Sequence, residues 1–198
     1  MSHTSDQDLI RQALQGDKRA FGQFVRRHQQ KIYRLALRML RNETDAEDVV
    51  QETFVRAYQS LARFEGNSQP FTWLYRIAVN HSLNILRKRK TRGVSSPIDD
   101  PLIDAWVSVH SGRSSDSPAD KAQHRQTVIA LLEAIDELST TLKTTLLLVI
   151  GEGLSHGQAS EVLGCPEGTV AWRVHEARRK LHAALIERGF GDVEEVTP

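Results

Sequence analysis

Cysteine, aromatic side chains and long apolar runs are all scarce in this chain of 198 residues, and each scarcity excludes a class of protein. Cys165 is the only cysteine, which excludes an internal disulfide and a cysteine-based zinc site. No apolar run approaches the roughly 20 residues that span a bilayer, and the first residues lack the basic and apolar regions of a signal peptide. Aromatic residues make up 6%, so each core must be mostly aliphatic. The sequence therefore predicts a soluble, intracellular protein without a metal ion.

The net charge is only +1, but the charges are segregated along the chain. Residues 43–52 hold five acids and no base, whereas residues 76–92 hold six bases and no acid. Residues 99–120 are again mainly acidic, and residues 173–180 are basic. Most charge runs are solvated helix faces, but the tract ending at Arg92 closes an apolar helix and does not alternate with acids. Such blocks favour basic surfaces for phosphates and an acidic surface for a basic protein partner.

The first ninety residues have the apolar periodicity of helices and no strand-like alternation. Four helices are predicted: one over residues 6–15, a second from Asp17, a third from Thr44 and a fourth over residues 71–89. Thr44 and Glu47 have the spacing of a capping box, which marks the start of the third helix. The second helix has these apolar residues inward: Phe21, Val25, Ile32, Leu35 and Met39. Trp73 and Tyr75 in the fourth helix either stack on nucleic-acid bases or belong to the core. Residues 93–118 contain seven serines and three prolines, a composition typical of a linker. Trp106 within it either folds back on a domain or docks on a partner.

Helix signals return after the linker. Ser117-Pro118 predicts a helix to about Leu138, and Ser139 can cap the next one. That helix carries Leu142, Leu146, Leu147 and Ile150 on its apolar stripe. A short helix from Ser155, a turn at Gly164 and a long helix to about Arg188 then form a helix-turn-helix pattern. Trp172 lies opposite the apolar stripe of the long helix, so it either contacts a nucleic acid or protein, or packs on the linker or first domain.

Enzyme chemistry finds no support in the sequence. The eight histidines are dispersed, and His175 and His182, which share a helix face, have no carboxylate or cysteine at ligand spacing. The chain has no glycine-rich phosphate loop and no nucleophile elbow. Cys165 is best explained as a small turn residue. We therefore expect no catalytic residue, no metal site and no cofactor.

Two passages resemble a known family. Residues 44–54 (TDAEDVVQETF) are followed by residues 71–80 (FTWLYRIAVN), and Gly153-Leu-Ser155 is followed by residues 161–164 (EVLG) and 168–170 (GTV). In this order and spacing they resemble the extracytoplasmic-function (ECF) sigma factors of the bacterial sigma-70 family, σE-like members included. The resemblance implies an all-α fold of two domains joined by a flexible linker. Region 2 would occupy residues 1–92, the linker 93–118, the region 4 helix-turn-helix 119–189 and a tail 190–198.

The resemblance implies three binding surfaces. The acidic third helix would bind the clamp helices of the largest RNA polymerase subunit, through Asp45, Asp48, Gln51 and Glu52. The fourth helix and the loop before it would read and melt the promoter −10 element, through Phe64, Gly66, Asn67, Ser68, Arg76, Asn80, Asn84, Arg87 and Lys88. The last helix would read the −35 element, through Thr169, Ala171, Trp172, Arg173, His175, Glu176, Arg178 and Arg179.

The chain departs from the family pattern at a few of these positions. Pro70 stands where relatives usually carry another side chain, often aromatic. Ala171, Trp172 and Glu176 stand where relatives generally carry a basic residue, a serine and often a second basic residue. Glu176 can accept a hydrogen bond from cytosine N4 but repels phosphate, so either the preferred −35 sequence differs or the affinity is weaker.

We therefore predict a monomeric alternative sigma factor that responds to envelope or other stress and has no catalytic activity. It would bind core polymerase, including the flap of the second-largest subunit, and promoter DNA. It would be cytoplasmic and join the nucleoid when active. A cognate anti-sigma factor, often anchored in the inner membrane in relatives, would hold it inactive by wedging between the domains. The alternative is a classical repressor or activator that uses only the helix-turn-helix, for which residues 48–52 and 71–80 would have no use.

Overall fold

The computed structural model describes residues 4–64, 66, 68–92 and 118–190, without the side chains of residues 118–124. Helices fill most of this part of the chain, and no strand occurs in it, which confirms the predicted all-α class. The helices are α1 (Asp6–Leu14), α2 (Lys18–Leu40), α3 (Glu43–Ser60), α4 (Pro70–Arg92), α5 (Pro118–Glu137), α6 (Thr140–Leu146), α7 (His156–Leu163) and α8 (Glu167–Glu187). A 3₁₀ turn (Leu61–Arg63) follows α3, and a π turn (Leu147–Gly151) follows α6.

Side-chain caps fix where several helices begin. Asp17 caps α2, and Ser155 forms the expected capping box with Gln158 at the start of α7. The predicted cap of α3 is wrong, because Asn42 and not Thr44 accepts a hydrogen bond from the backbone N of Asp45, at 2.8 Å. Helix α3 therefore starts two residues earlier than the capping-box spacing predicts.

The N-terminal domain consists of α1 to α4 around one apolar core. Phe21, Ile32, Leu35 and Met39 of α2 are buried as predicted, and Val25 packs at the edge of this core. On α1, Asp6 accepts from Arg27 at 2.5 Å and lies 2.7 Å from Nε2 of the buried His28. These contacts fasten α1 to α2.

The C-terminal domain consists of α5 to α8. Ile135, Leu138, Leu142, Leu146 and Ala177 form a second core between α5, α6 and α8. Ile150, which the sequence analysis names among the apolar residues of the helix after Ser139, is 54% exposed, while Leu148 is fully buried. The π turn explains the difference, because its i→i+5 hydrogen bonding inserts a residue and shifts the following side chains around the helix axis.

The two domains are in contact. Helix α7 crosses α4, and the π turn lies against α2. Leu148, Ala159, Val162 and Val170 of the C-terminal domain join the apolar cluster of the N-terminal domain. Arg41, a buried residue after α2 with a φ of 52°, donates to the carbonyl oxygen of Leu132 at 3.0 Å. The domain contact therefore combines apolar packing with buried hydrogen bonds.

Candidate protein and nucleic-acid interfaces

The outer face of α3 carries the predicted acidic residues. Asp48 and Gln51 are exposed, and Glu52 accepts a hydrogen bond from Arg56 at 2.5 Å, which lowers the pKa of the Glu52 carboxyl. Asp45 is placed differently, because it is half-buried and pairs with Arg89 near the end of α4. Three of the four predicted residues therefore share an open face, while Asp45 fastens α3 to α4.

Two exposed apolar residues continue this face and were missed by the sequence reasoning. Val55 and Tyr58 are each 49% exposed, and Asp48, Gln51, Val55 and Tyr58 succeed one another at spacings of three, four and three residues. The Tyr58 ring packs edge-on against Phe21 at 5.1 Å between centroids, which fixes its direction. The signal in the sequence was their position off the buried stripe of an otherwise polar face. We name the group Asp48, Gln51, Glu52, Val55 and Tyr58 the α3 strip.

The predicted −10 residues of α4 lie on one exposed face without an acid, as their spacing of three and four residues implies: Arg76, Asn80, Asn84, Arg87 and Lys88. Arg87 donates to the side-chain oxygen of Asn84 at 2.8 Å, which orients both groups. Arg76 donates through Nε and Nη2 to the carbonyl oxygen of Glu161 in α7, at 2.9 and 2.5 Å. The face therefore offers hydrogen-bond donors along its whole length, and α7 occupies one end.

The loop before α4 is partly supported by aromatic packing. Phe64 contacts Trp73 with ring centroids 4.9 Å apart, and both are half-buried. Gly66 is exposed with a φ of 75°, a conformation that favours glycine, and Ser68 is half-buried. Asn67 lies outside the described residues. The Trp73 ring therefore supports the loop through its contact with Phe64.

The helix-turn-helix forms as predicted. Gly164 ends α7 in the left-handed region with a φ of 64°, and α8 begins at Glu167 after the turn. Val170 is fully buried and fixes the start of α8 against the domain core. Ser160 lies at the position of α7 where a helix-turn-helix requires a small residue, and it donates to the carbonyl oxygen of Gly157 at 2.7 Å. In such a unit the second helix is the one that enters the DNA major groove.

The outer face of α8 holds most of the predicted −35 residues. Trp172 is 62% exposed, so the described residues do not bury it. Glu176 and Arg179 form a forked ion pair, with two hydrogen bonds of 2.8 Å. The remaining residues of the predicted set on or beside this face are exposed or half-buried: Thr169, Ala171, His175 and Arg178.

Comparisons with known proteins agree with this arrangement. The family models Sigma-70 region 2 and Sigma-70, region 4 match residues 24–92 and 129–181. The RNA polymerase sigma-H factor of Pseudomonas aeruginosa is 36% identical over 186 residues, which cover 93% of this chain and 96% of the relative. The chain belongs to the sigma-70 family, in its ECF group. The ECF RNA polymerase sigma-E factor of Haemophilus influenzae is 37% identical over 180 residues, 89% of this chain and 93% of the relative.

Solved structures share the fold of this sigma factor. CnrH, solved in complex with the cytosolic domain of CnrY, matches with a TM-score of 0.65 and 28% identity. The match covers 92% of this chain and 97% of CnrH. The sigma factor RpoE of Bartonella quintana, solved with the anti-sigma factor NepR, matches with a TM-score of 0.61 and 24% identity over 84% of this chain and 96% of that chain. No helix in the described part of the sigma factor combines the length and apolar character needed to cross a membrane.

Arg173 lies apart from the other −35 candidates. It is half-buried and donates to the sulfur of Cys165 at 3.5 Å. It lines a cleft of about 920 Å³ between the two domains. Among the described residues that line it, one is an acid, Asp136, and a larger set are cations, Arg41, Arg87, Arg89, Lys90, Lys143 and Arg173; apolar lining residues include Leu83, Leu86 and Leu163.

A buried carboxylate also joins the two domains. Glu152, which follows the π turn, accepts a hydrogen bond from Tyr75 Oη at 2.9 Å and pairs with Arg38 Nη1 at 3.1 Å. Arg38 also donates to the carbonyl oxygen of Gly151 at 2.9 Å. Burial raises the pKa of Glu152, although Tyr75 and Arg38 act in the opposite direction. Burial, with Glu152 nearby, also raises the pKa of Tyr75.

These contacts decide one alternative that the sequence left open. Tyr75 is 3% exposed and bonded to Glu152, so it belongs to the core and the domain contact. No sequence pattern indicates this contact, because residues 38, 75 and 152 are far apart in the chain and none is an unusual residue for its helix or turn.

Proposed function

We propose that this sigma factor binds core RNA polymerase through the α3 strip. The observation that carries the proposal is the strip itself, where the exposed Asp48 and Gln51 and the half-buried Glu52 adjoin two exposed apolar side chains. Apolar anchors beside charged groups are the usual anatomy of a protein interface. The negative charge of Asp48 and Glu52 fits a basic helical partner, which the family resemblance identifies as the clamp helices of the largest subunit. A regulator that acts through the helix-turn-helix alone has no use for this surface.

The exposed face of α4 is the proposed −10 site. From Arg76 to Lys88 the face extends about 18 Å along the helix at 1.5 Å per residue. It offers guanidinium, ammonium and amide donors and no acid, which suits a single strand whose bases and phosphates are both contacted. The loop with Phe64, Gly66 and Ser68 lies at its N-terminal end and is the proposed place for a flipped base. Asn67, outside the described residues, stays a prediction.

The outer face of α8 is the proposed −35 site. Binding of the −10 and −35 elements at the same time requires the two domains to separate. The centres of the two elements are 25 base pairs apart, or about 85 Å at 3.4 Å per base pair. In the free chain Arg76 of the −10 face is hydrogen-bonded to α7 of the helix-turn-helix. The arrangement described above is therefore the free sigma factor, and binding to core polymerase, including contact of region 4 with the flap, must open it.

An anti-sigma factor is the proposed occupant of the basic cleft. The described part of its lining has six cations and one acid beside apolar side chains, which fits an acidic amphipathic helix. CnrH, which shares the fold, was solved with the cytosolic domain of CnrY. We place the sigma factor in the cytoplasm as a monomer, where transcription occurs, and expect that it joins the nucleoid with polymerase. It contributes binding and promoter opening, with no catalytic step of its own.

The test is a charge reversal on the α3 strip. Asp48→Lys with Glu52→Lys should lower affinity for core polymerase by at least about 30-fold, because truncating one buried interfacial charge pair already has an effect of this size. Glu43→Lys with Glu47→Lys makes the same charge change at exposed positions of the same helix and serves as the control. Pull-down with core polymerase and transcription from an otherwise silent promoter provide the readouts.

The strip assignment fails if the two double variants bind core polymerase equally well. If the parent binds duplex DNA tightly and shows no association with polymerase, the classical regulator is the better description. Far-ultraviolet circular dichroism checks that both variants keep the helical content of the parent.

A further inference from the structure

An acid lies among the bases of the α8 outer face, where it would meet DNA. Arg179 donates through Nε and Nη2 to the two carboxylate oxygens of Glu176, both at 2.8 Å. These bonds lower the pKa of Glu176 and raise that of Arg179. The side chain of Glu176 is 19% exposed and that of Arg179 is 62% exposed, so the guanidinium partly covers the carboxylate.

Stability does not explain the pair. Arg179 is exposed and only Glu176 is partly covered, and a pair of neighbouring charges on a helix surface contributes little to the folded state, because water screens it and both side chains lose rotamer freedom. A lone carboxylate on this face would also oppose DNA binding by repelling phosphates. The arrangement is the one expected if Glu176 has a task in the groove and Arg179 offsets its charge.

We propose that Glu176 and Arg179 act as one unit in −35 recognition, in which Glu176 accepts a hydrogen bond from cytosine N4 in the major groove. Arg179 is the positioning residue that orients the carboxylate and neutralises its charge. The inference rests on the proposed −35 site on α8. An ionised carboxylate has about four lone-pair sites, so the fork leaves one on each oxygen for a base. Cytosine fits better than adenine, whose N7 acceptor lies beside its amino group and would repel the carboxylate.

The direct test is a selection of randomised −35 sequences by the sigma factor in complex with core polymerase. We expect the parent to select cytosine at one position. Glu176→Gln should shift that position to adenine, because an amide both donates and accepts, and Glu176→Arg should shift it to guanine. The loss of the cytosine preference should be about 5- to 150-fold, the range for one good base contact.

The role of Arg179 is tested against its neighbour Arg178, which is exposed on the same helix. Arg178→Ala should lower affinity for all sequences equally and reduce the salt slope by about 0.9 log unit if it contacts one phosphate. Arg179→Ala should instead weaken the cytosine preference, and it should have no effect on that preference once Glu176→Gln is present. Arg179→Lys should restore overall affinity without restoring the preference, since an ammonium lacks the fork.

Two results would overturn the proposal. One is that the −35 sequences selected by the parent contain no cytosine position whose preference changes in Glu176→Gln. The other is an identical effect of Arg178→Ala and Arg179→Ala on the selected sequences. A footprint in which the parent complex leaves the −35 element unprotected would reject the −35 site itself. Protection of that element without coupling between residues 176 and 179 would reject only the recognition unit.

Discussion

Glu152 contributes a buried ion pair and hydrogen bond to the contact between the two domains, and its removal gives the sharpest prediction from the structure. The Glu152 side chain is 7% exposed and has two partners in the N-terminal domain, Tyr75 and Arg38. Glu152→Ala leaves the Tyr75 hydroxyl without this acceptor and removes the countercharge of Arg38. Breaking a buried ion pair costs about 3–5 kcal/mol.

For the Glu152–Arg38 pair we expect a free-energy cost at the lower end of the range of about 3–5 kcal/mol. The Arg38 side chain is 21% exposed and keeps its bond to the carbonyl oxygen of Gly151, so part of its charge remains solvated or paired. A loss of about 3 kcal/mol lowers the ratio of closed to open molecules by roughly 100-fold, since 1.4 kcal/mol corresponds to a factor of ten. We therefore expect Glu152→Ala to populate separated domains in the free sigma factor.

Small-angle scattering of the free protein measures this opening. A compact chain of this length has a radius of gyration of roughly 16 Å, and separated domains raise the value. Glu161→Ala is the matched control, because the backbone carbonyl of Glu161 bonds to Arg76 while its exposed side chain can be removed without loss of that bond. The reasoning is refuted if the Glu152→Ala protein is as compact as the parent and the control.

The pH dependence of closure follows from the same residue. Burial in the closed arrangement raises the pKa of Glu152 above its ordinary value of 4.5, despite the opposing effects of Tyr75, Arg38, Arg34 and Lys31. The closed arrangement therefore binds more protons than the open one. This contribution is fully present below the ordinary pKa and is lost as the pH rises through the raised pKa. We expect the parent to become more compact when the pH falls from about 7.5 to about 5, and Glu152→Gln to lose this response.

Three further predictions concern the strip, the −10 face and the π turn. Tyr58→Ala should weaken core binding by about 10-fold or more in a pull-down titration, as expected for an aromatic anchor, whereas Leu14→Ala, which removes an exposed side chain on α1, should leave it unchanged. Asn80→Ala should preserve core binding and reduce open-complex formation by about 5- to 150-fold, and normal permanganate reactivity around −10 would contradict it. Leu148→Ala should lower stability by about 2–5 kcal/mol in denaturant titrations, whereas Ile150→Ala should change it little, because only Leu148 is buried.

Most of the fold could be predicted from the sequence because its information is local. The apolar spacing of α2 and α8 repeats over enough turns to define the buried stripe, and the capping box at Ser155 fixes the start of α7. The predictions failed where two local signals competed or where the helix changed its period. Asn42 and Thr44 are both acceptable caps, and only the structure shows that Asn42 is used. The π turn places Ile150 at the surface, and no residue in the sequence predicts a π turn at this point.

The candidate sites divide in the same way. Spacing placed Asp45, Asp48 and Glu52 on one face of α3, and it predicted the stripe from Arg76 to Arg87, whereas Gln51 came from the family resemblance. It could not predict that Asp45 pairs with Arg89, because that pairing depends on how the end of α4 crosses α3. Helical periodicity gives the direction in which a side chain points but does not give its partner.

The contact between the domains shows this limit most clearly. Arg38, Tyr75 and Arg76 all lie at positions whose local pattern is satisfied without any C-terminal domain. Their partners, Glu152 and the carbonyl of Glu161, come from a turn and a helix end more than 70 residues away in the chain. If the two domains bind the two promoter elements as proposed, this contact must also be broken in use, since elements about 85 Å apart cannot be read by domains that touch. A carboxylate with a raised pKa suits such a contact, because burying its charge makes the closed state less stable than apolar packing alone would. The residue that sequence patterns were least able to identify is therefore the one we expect to set how readily the sigma factor opens.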